Sequence, residues 1–403
     1  MSNLAASHHG VAAEARLRTQ AMAWDAPTAV DSIPWATEED VPVLDLGAFF
    51  AEGGDGGPAR DAIAMQLRAA ASTTGFHYVT NHEVPDAVVR DTFAAARAFH
   101  ALPVRSKQRL AMDRPETSRP AGDTSERRGC GYLSEANMKL PAREKPNRCA
   151  AFVVKREIGP RNITLDKMPW PCESSGDGGN PDSDGKESGG GGEADDESDD
   201  AAVPAGFRAT IERYCLAMEK LGLAMLPIYA VALGLPPTWF DAAFTAPLFR
   251  LRLSRYSPTP PGEYGINPHV DTSFFTILAT SAPGLVVWSN ARGGWLRVRH
   301  RDDAFVINGG ELLSQITNDK FPATRHYAIF SSLDAVADAD KSTQSTSSDN
   351  RISDGDFRYS LPFFFNATPT YRMEVVPTCC SADNPPKYPP LSYLEGQAIA
   401  QGE

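Results

Sequence analysis

The sequence predicts a mainly β fold with flanking helices, an α+β protein built on a double-stranded β-helix, the jelly roll of two sheets. Three observations carry this expectation. From Leu251 onward the chain runs as short strand-like segments broken by Pro, Gly and Asn clusters. Before them, Pro204 to Leu233 is one long helical pattern, with Ile211, Tyr214, Met218, Leu221 and Met225 at three- and four-residue steps. A histidine and a carboxylate then stand two apart in Pro268-His269-Val-Asp271, a spacing that puts both on one face of a strand.

The remaining elements follow in order. Val41 to Leu46 predicts a first strand, Ala59 to Ala71 a helix, Phe76 to Thr80 a strand, and Pro85 to Leu102 a helix with proline at its first turn. The long helix stops at Gly234-Leu-Pro-Pro. These helices are expected to buttress one face of the barrel.

At 403 residues and 42% hydrophobic content, the chain can bury a sizeable core. Its formal charge of −12 is concentrated. Residues 173–200 hold 11 acids and one lysine, net −10, so the rest of the chain is near neutral and offers no basic surface for nucleic acid. That tract is almost free of apolar residues and predicts a disordered insertion. The expected organisation is a disordered tail over 1–40, an N-terminal portion over 41–172, the insertion over 173–200, and a helix plus jelly-roll core over 201–403. A second polar tract, Asp334 to Asn350, reads as a surface loop between two strands.

Six cysteines without metal or framework spacing suit a reducing, cytoplasmic compartment, and no membrane span or secretory leader is expected. Arg16 and Arg18 among alanines leave an organellar presequence as the alternative. A monomer is expected.

His269 and Asp271 gain a third candidate ligand from His300 or His326, the other histidines of the C-terminal half. Chance alone supplies about one His-x-acid match from 8 histidines and 51 acids, so context decides. His300 sits in a charged turn-like stretch, whereas His326 leads into strand-like Tyr-Ala-Ile-Phe, which selects His326. Two histidines and one carboxylate leave about three positions open on Fe(II). Arg358 and Ser360 share a strand face and form either a carboxylate receptor or, for Arg358, a pair with Asp354 or Asp356.

Together these residues resemble the isopenicillin N synthase-like family of Fe(II)/2-oxoglutarate-dependent dioxygenases. The resemblance runs through Val41-Pro-Val-Leu-Asp-Leu, Gly75-Phe-His-Tyr-Val-Thr-Asn-His82-Glu-Val-Pro, Leu251-Arg-Leu-Ser-Arg-Tyr256, Gly265 to Ser273, Gly284-Leu-Val-Val, Asn308-Gly-Gly-Glu, Thr317-Asn318 to His326, and Arg358-Tyr-Ser360. It implies His269, Asp271 and His326 as iron ligands, with no catalytic residue beyond them. Arg358 and Ser360 would hold the distal carboxylate of 2-oxoglutarate, assisted by Tyr256. Fe(2+), 2-oxoglutarate and O2 would then oxidise a C–H bond of a small molecule, hydroxylation by default, while 2-oxoglutarate goes to succinate and CO2. The rival readings are an oxidase of the same fold that uses no 2-oxoglutarate, and a non-catalytic binding or sensor barrel. The departures are Glu83 for a usual Gly, Ser254 for a frequent Asn, Tyr327 for a common Arg, and a long gap from His326 to Arg358. Phe274, Phe364 and Arg148 are the candidates for the substrate pocket, Phe274 and Phe364 because each belongs to an adjacent Phe pair that must send one ring inward.

Overall fold

The computed structural model describes residues 26–53, 57–71, 73–112, 129–135, 147–156, 168–174, 201–331 and 357–395. The polar loop predicted around 334–350, most of the acidic tract and the candidate presequence lie outside them. Twelve strands are described: β1 Val43–Asp45, β2 Phe76–Thr80, β3 Gly131–Leu133, β4 Cys149–Lys155, β5 Leu248–Tyr256, β6 Ile266–His269, β7 Phe275–Thr280, β8 Leu285–Ser289, β9 Gly294–Val298, β10 Phe305–Gly309, β11 His326–Ala328 and β12 Arg358–Asn366. Eight form a major sheet in the order β1-β2-β10-β7-β12-β5-β4-β3, and four a minor sheet in the order β6-β11-β8-β9. Apart from the parallel β1–β2 pair, the ladders are antiparallel. This is the predicted jelly roll.

Among the described residues six α-helices accompany the sheets: α1 Gly47–Ala51, α2 Pro58–Ala71, α3 Asp86–Ala101, α4 Val104–Gln108, α5 Phe207–Ala232 and α6 Glu311–Ile316. The 3.6-residue periodicity of the predicted helices is what brings α2, α3 and α5 together. α5 buries Ile211, Tyr214, Met218, Leu221 and Met225 against α2, α3 and β12. By length and composition α5 could cross a membrane, contrary to the expectation of no such run, yet its apolar face is spent in this core.

Strand alternation sorts the major sheet into two faces. Phe249, Leu251 and Leu253 of β5, and Tyr359, Leu361, Phe363 and Phe365 of β12, join the helices in one core. The other face meets the minor sheet, closed at one side by Phe76, Tyr78, Val287, Leu296 and Val306 and at the other by Cys149, Tyr256, Ala328 and Phe330. The candidate site lies between these two apolar clusters.

Two expected boundaries need correction. Residues 26–40 are not a free tail. Ala26 and Ile33 pack on Val286, Trp295 and Tyr327 at the outer face of the minor sheet, while the Tyr264 and Tyr327 hydroxyls donate to the carbonyls of Ala26 and Pro27, each at 2.6 Å. Tyr327, the departure from the common Arg, thus fastens this strap. At the acidic tract, Glu173 is structural: its carboxylate accepts the amides of Gly206 and Arg208 at 2.7 and 2.8 Å, satisfying donors at the start of α5.

Glu83 adopts φ 59°, a left-handed conformation that favours the glycine expected there. Its exposed pairing with Lys220, 3.5 Å apart, contributes little. Glu83→Gly should therefore fold without loss and gain up to about 1 kcal/mol, read as a higher urea midpoint.

Candidate metal centre and cosubstrate site

β6 and β11 pair so that His269 stands directly opposite His326. Their rings lie 4.3 Å apart between centroids. Asp271 follows β6 by two residues, and its Oδ1 lies 3.7 Å from His269 Nε2 and 3.6 Å from His326 Nε2. One ligand atom from each of the three residues lies within 4.8 Å of the other two, a set that could hold a metal ion.

The hydrogen bonds around the three groups fix which atoms face inward. His269 Nδ1 lies 2.9 Å from the Asn267 carbonyl and His326 Nδ1 3.0 Å from the Thr324 carbonyl. A carbonyl only accepts, so each neutral ring carries its proton on Nδ1 and turns the Nε2 lone pair inward. Asp271 Oδ2 accepts from Thr276 Oγ1 at 2.7 Å and Asn308 Nδ2 at 2.8 Å, which leaves Oδ1 for the centre. Burial alone would raise the Asp271 carboxyl, but the two histidines, Asn308 and Thr276 together hold it below the usual carboxylate range. It is an anion with one oxygen uncommitted to protein donors.

The Asn308-Gly-Gly-Glu run explains itself here. Asn308 reaches Asp271 from β10, and the Glu311 amide donates to the Asp271 carbonyl at 2.7 Å. A Cβ on Gly310 would stand 2.1 Å from the Ser273 carbonyl oxygen, so only glycine permits this approach. Sequence reasoning singled out neither Asn308 nor Thr276 as a site residue, although Asn308 opens a motif it had noted. Asn308→Ala should leave the fold intact and weaken iron binding by about ten- to a hundredfold, measurable by competition with a chelator.

Arg358 and Ser360 open β12 on the face toward the minor sheet, Arg358 opposite Tyr256 and Ser360 opposite Ser254 in register. Arg358 is 2% exposed. Its Nε donates to the Ala282 carbonyl at 3.0 Å, its guanidinium lies 4.9 Å from the Tyr256 ring centroid, and its buried Nη1 has no hydrogen-bond partner. The buried Ser254 Oγ is likewise without one. Ser360 Oγ meets the Tyr256 hydroxyl at 3.3 Å, and burial pushes that phenol up to about 12, so it stays protonated and able to donate. Neither Asp354 nor Asp356 belongs to the described residues. Buried donors left without acceptors are costly unless a ligand supplies them. A carboxylate fits this cradle.

The other named candidates fall into different places. His300 is held by Thr280 at 3.1 Å and Asp302 at 2.9 Å, away from the histidine pair. Phe274 does not line a pocket: it precedes β7, escapes strand alternation, and packs with Phe275 into the helical core against Tyr229, Phe240 and Phe244. Phe364 faces the site side of β12 and is partly exposed, with the Arg252 guanidinium 5.5 Å from its centroid. Arg148, just before β4, is engaged by both carboxylate oxygens of Glu263.

A mononuclear non-haem oxygenase site is the class that this geometry defines. The model of the 2OG-Fe(II) oxygenase superfamily matches residues 247–367, and that of the non-haem dioxygenase in morphine synthesis N-terminal region matches residues 41–157. The chain belongs to the 2OG-Fe(II) oxygenase superfamily and is a 2-oxoglutarate- and Fe(II)-dependent dioxygenase. It is 25% identical to the 2-oxoglutarate-Fe(II) type oxidoreductase hxnY of Emericella nidulans over 87% of this chain and 86% of that one. It is 28% identical to gibberellin 20 oxidase 3 of Oryza sativa subsp. japonica over 92% and 83%. Its fold matches a full-length Neurospora crassa protein crystallised in complex with alpha-KG, with a TM-score of 0.65, 20% identity, and coverage of 91% and 97%.

Proposed function

We propose that the chain oxidises a C–H bond of a small organic molecule, hydroxylation being the default outcome, with Fe(II) on His269, Asp271 and His326 and 2-oxoglutarate anchored at Arg358. The observation that carries the residue assignment is the pairing of an inward-facing Nε2, Nε2, Oδ1 set with a buried, partnerless Arg358 Nη1. With iron and 2-oxoglutarate bound, the site supplies oxygen activation coupled to decarboxylation of 2-oxoglutarate to succinate and CO2.

The residues act by binding and orientation. Asp271 neutralises one charge of the divalent ion, leaving a net positive centre that attracts the keto-acid end of the cosubstrate. Thr276 and Asn308 hold Oδ1 on the centre. Arg358 grips the far carboxylate, with the Ser360 and Ser254 hydroxyls and the Tyr256 phenol as donors beside it. Cys149, Ala328 and Phe330 pack around Tyr256 and keep water from that end. The same Neurospora crassa protein, crystallised also with thymine, supports a small-molecule substrate on this fold. All six cysteines are free, which supports a reducing, cytoplasmic setting.

Anaerobic titration of the Fe(II)-loaded protein with 2-oxoglutarate tests this reading. A weak visible charge-transfer band at one equivalent of iron is expected. Its absence, with iron bound, would remove the chelate from the proposal.

A further inference from the structure

We infer that the substrate of the proposed dioxygenase is an organic carboxylate, its anionic end taken by Arg250 and Arg252 on the inner face of β5, with Phe364 beside them. The inference rests on that dioxygenase reading for the iron, and on observations of its own for the anion.

Arg250, Arg252, Ser254 and Tyr256 occupy alternate positions of β5, opposite the positions that enter the helical core. They therefore form one row facing the minor sheet. The row begins with the cosubstrate cradle: Tyr256 stands opposite Arg358 and Ser254 opposite Ser360. It ends with Arg250 opposite Phe364 on one side and Lys155 on the other. Phe364 stands six positions beyond Arg358 on β12, about 20 Å along the strand. A five-carbon diacid held at Arg358 does not reach that far.

Neither Arg250 nor Arg252 forms an ion pair among the described residues, and the buried Nε of Arg252 has no hydrogen-bond partner. The two guanidiniums repel one another, while the acid within electrostatic reach of Arg252 is Asp271, already shared between two histidines. Like charges two residues apart on a half-buried strand face are unfavourable until an anion joins them. Forked donors suit a carboxylate better than a diffuse counter-ion does.

The wall around them is apolar and accessible. Pro362 and Phe364 are the two residues of β12 that are not buried, and both lie on the Arg358 face. The Arg252 guanidinium lies 5.5 Å from the Phe364 ring centroid, so a flat hydrocarbon body can pack on the ring while its carboxylate meets the arginines. Asp271, one of the residues that would hold the iron, is near the same body, because Thr276, which bonds it, stands opposite Phe364 in register.

The test uses full-length protein loaded anaerobically with Fe(II) and 2-oxoglutarate, and a panel of aryl and alkyl carboxylates, each beside its primary amide. Binding is read from perturbation of the charge-transfer band and from thermal shift in the same samples. At least one carboxylate is expected to bind at or below millimolar concentration, with its amide about ten- to a hundredfold weaker. Arg252→Gln and Arg250→Gln should each bring the acid about tenfold closer to its amide, and Arg252→Lys should restore part of the difference. Amides binding as well as acids, or no carboxylate binding at millimolar concentration, would overturn the inference. So would an Arg252→Gln protein that loses 2-oxoglutarate yet keeps the preference for acids. Failure of the dioxygenase reading is seen separately, as a missing band before any panel compound is added, and the thermal shifts still report the carboxylate preference.

Discussion

Asp271→Asn should give a folded protein that no longer retains one equivalent of Fe(II), and its 2-oxoglutarate turnover should fall to background. The asparagine has the size of the aspartate, and its carbonyl oxygen can still accept from Thr276 and Asn308, the two donors that hold Oδ2. That leaves an NH2 group facing His269 and His326, where Oδ1 now lies 3.7 and 3.6 Å from their Nε2 atoms. A donor there blocks the centre and removes the one anion of the described ligand set. Loss of affinity by at least about a hundredfold is expected, since even groups that merely orient metal ligands contribute ten- to a hundredfold. Iron content after desalting measures it. His300→Ala is the control for iron, because His300 bonds Thr280 and Asp302 and is not one of the three clustered ligands. Iron lost from the His300 variant and kept by the Asp271 variant would refute the assignment.

Arg358→Met should bind iron normally and 2-oxoglutarate poorly. Removing the charged partner of a desolvated carboxylate costs about 2–4 kcal/mol, roughly a thirty- to thousandfold rise in Kd. The empty proteins sharpen the test. In the wild type the buried guanidinium has a partnerless Nη1, a stability cost that methionine does not carry. The unliganded variant should therefore melt near or above the wild type, although it forfeits the Nε bond to Ala282. Only the wild type should then gain on adding 2-oxoglutarate, by about 2.7 kcal/mol at a hundredfold excess over Kd. An equal gain in both proteins would place the far carboxylate elsewhere.

Much of this architecture was legible because period and chemistry coincide. The 3.6-residue spacing of Ile211, Tyr214 and Met218 gave α5, and the two-residue spacings of His269 with Asp271 and Arg358 with Ser360 placed each pair near one face. What escaped was whatever depends on partners far along the chain. Phe274 looked like half of an alternating pair, but it lies before β7 begins, where alternation carries no information. The strap at 26–40 has no regular period, and its anchors come from Tyr264 and Tyr327, more than two hundred residues away. Arg250 and Arg252 drew no reading of their own from the sequence. The available signal was that Ser254 and Tyr256, already suspected of facing the cosubstrate, continue the same alternation.

The strap also separates what is recognisable from what is foldable. The superfamily resemblance starts at residue 41, yet Ala26 and Ile33 cover part of the minor sheet's outer surface. A gene fragment trimmed to the recognisable boundary would bare Trp295, Tyr327 and Val286 together, a greasy patch on the sheet that carries both histidines. Expression trials that begin at residue 41 would then report on solubility before they report on catalysis.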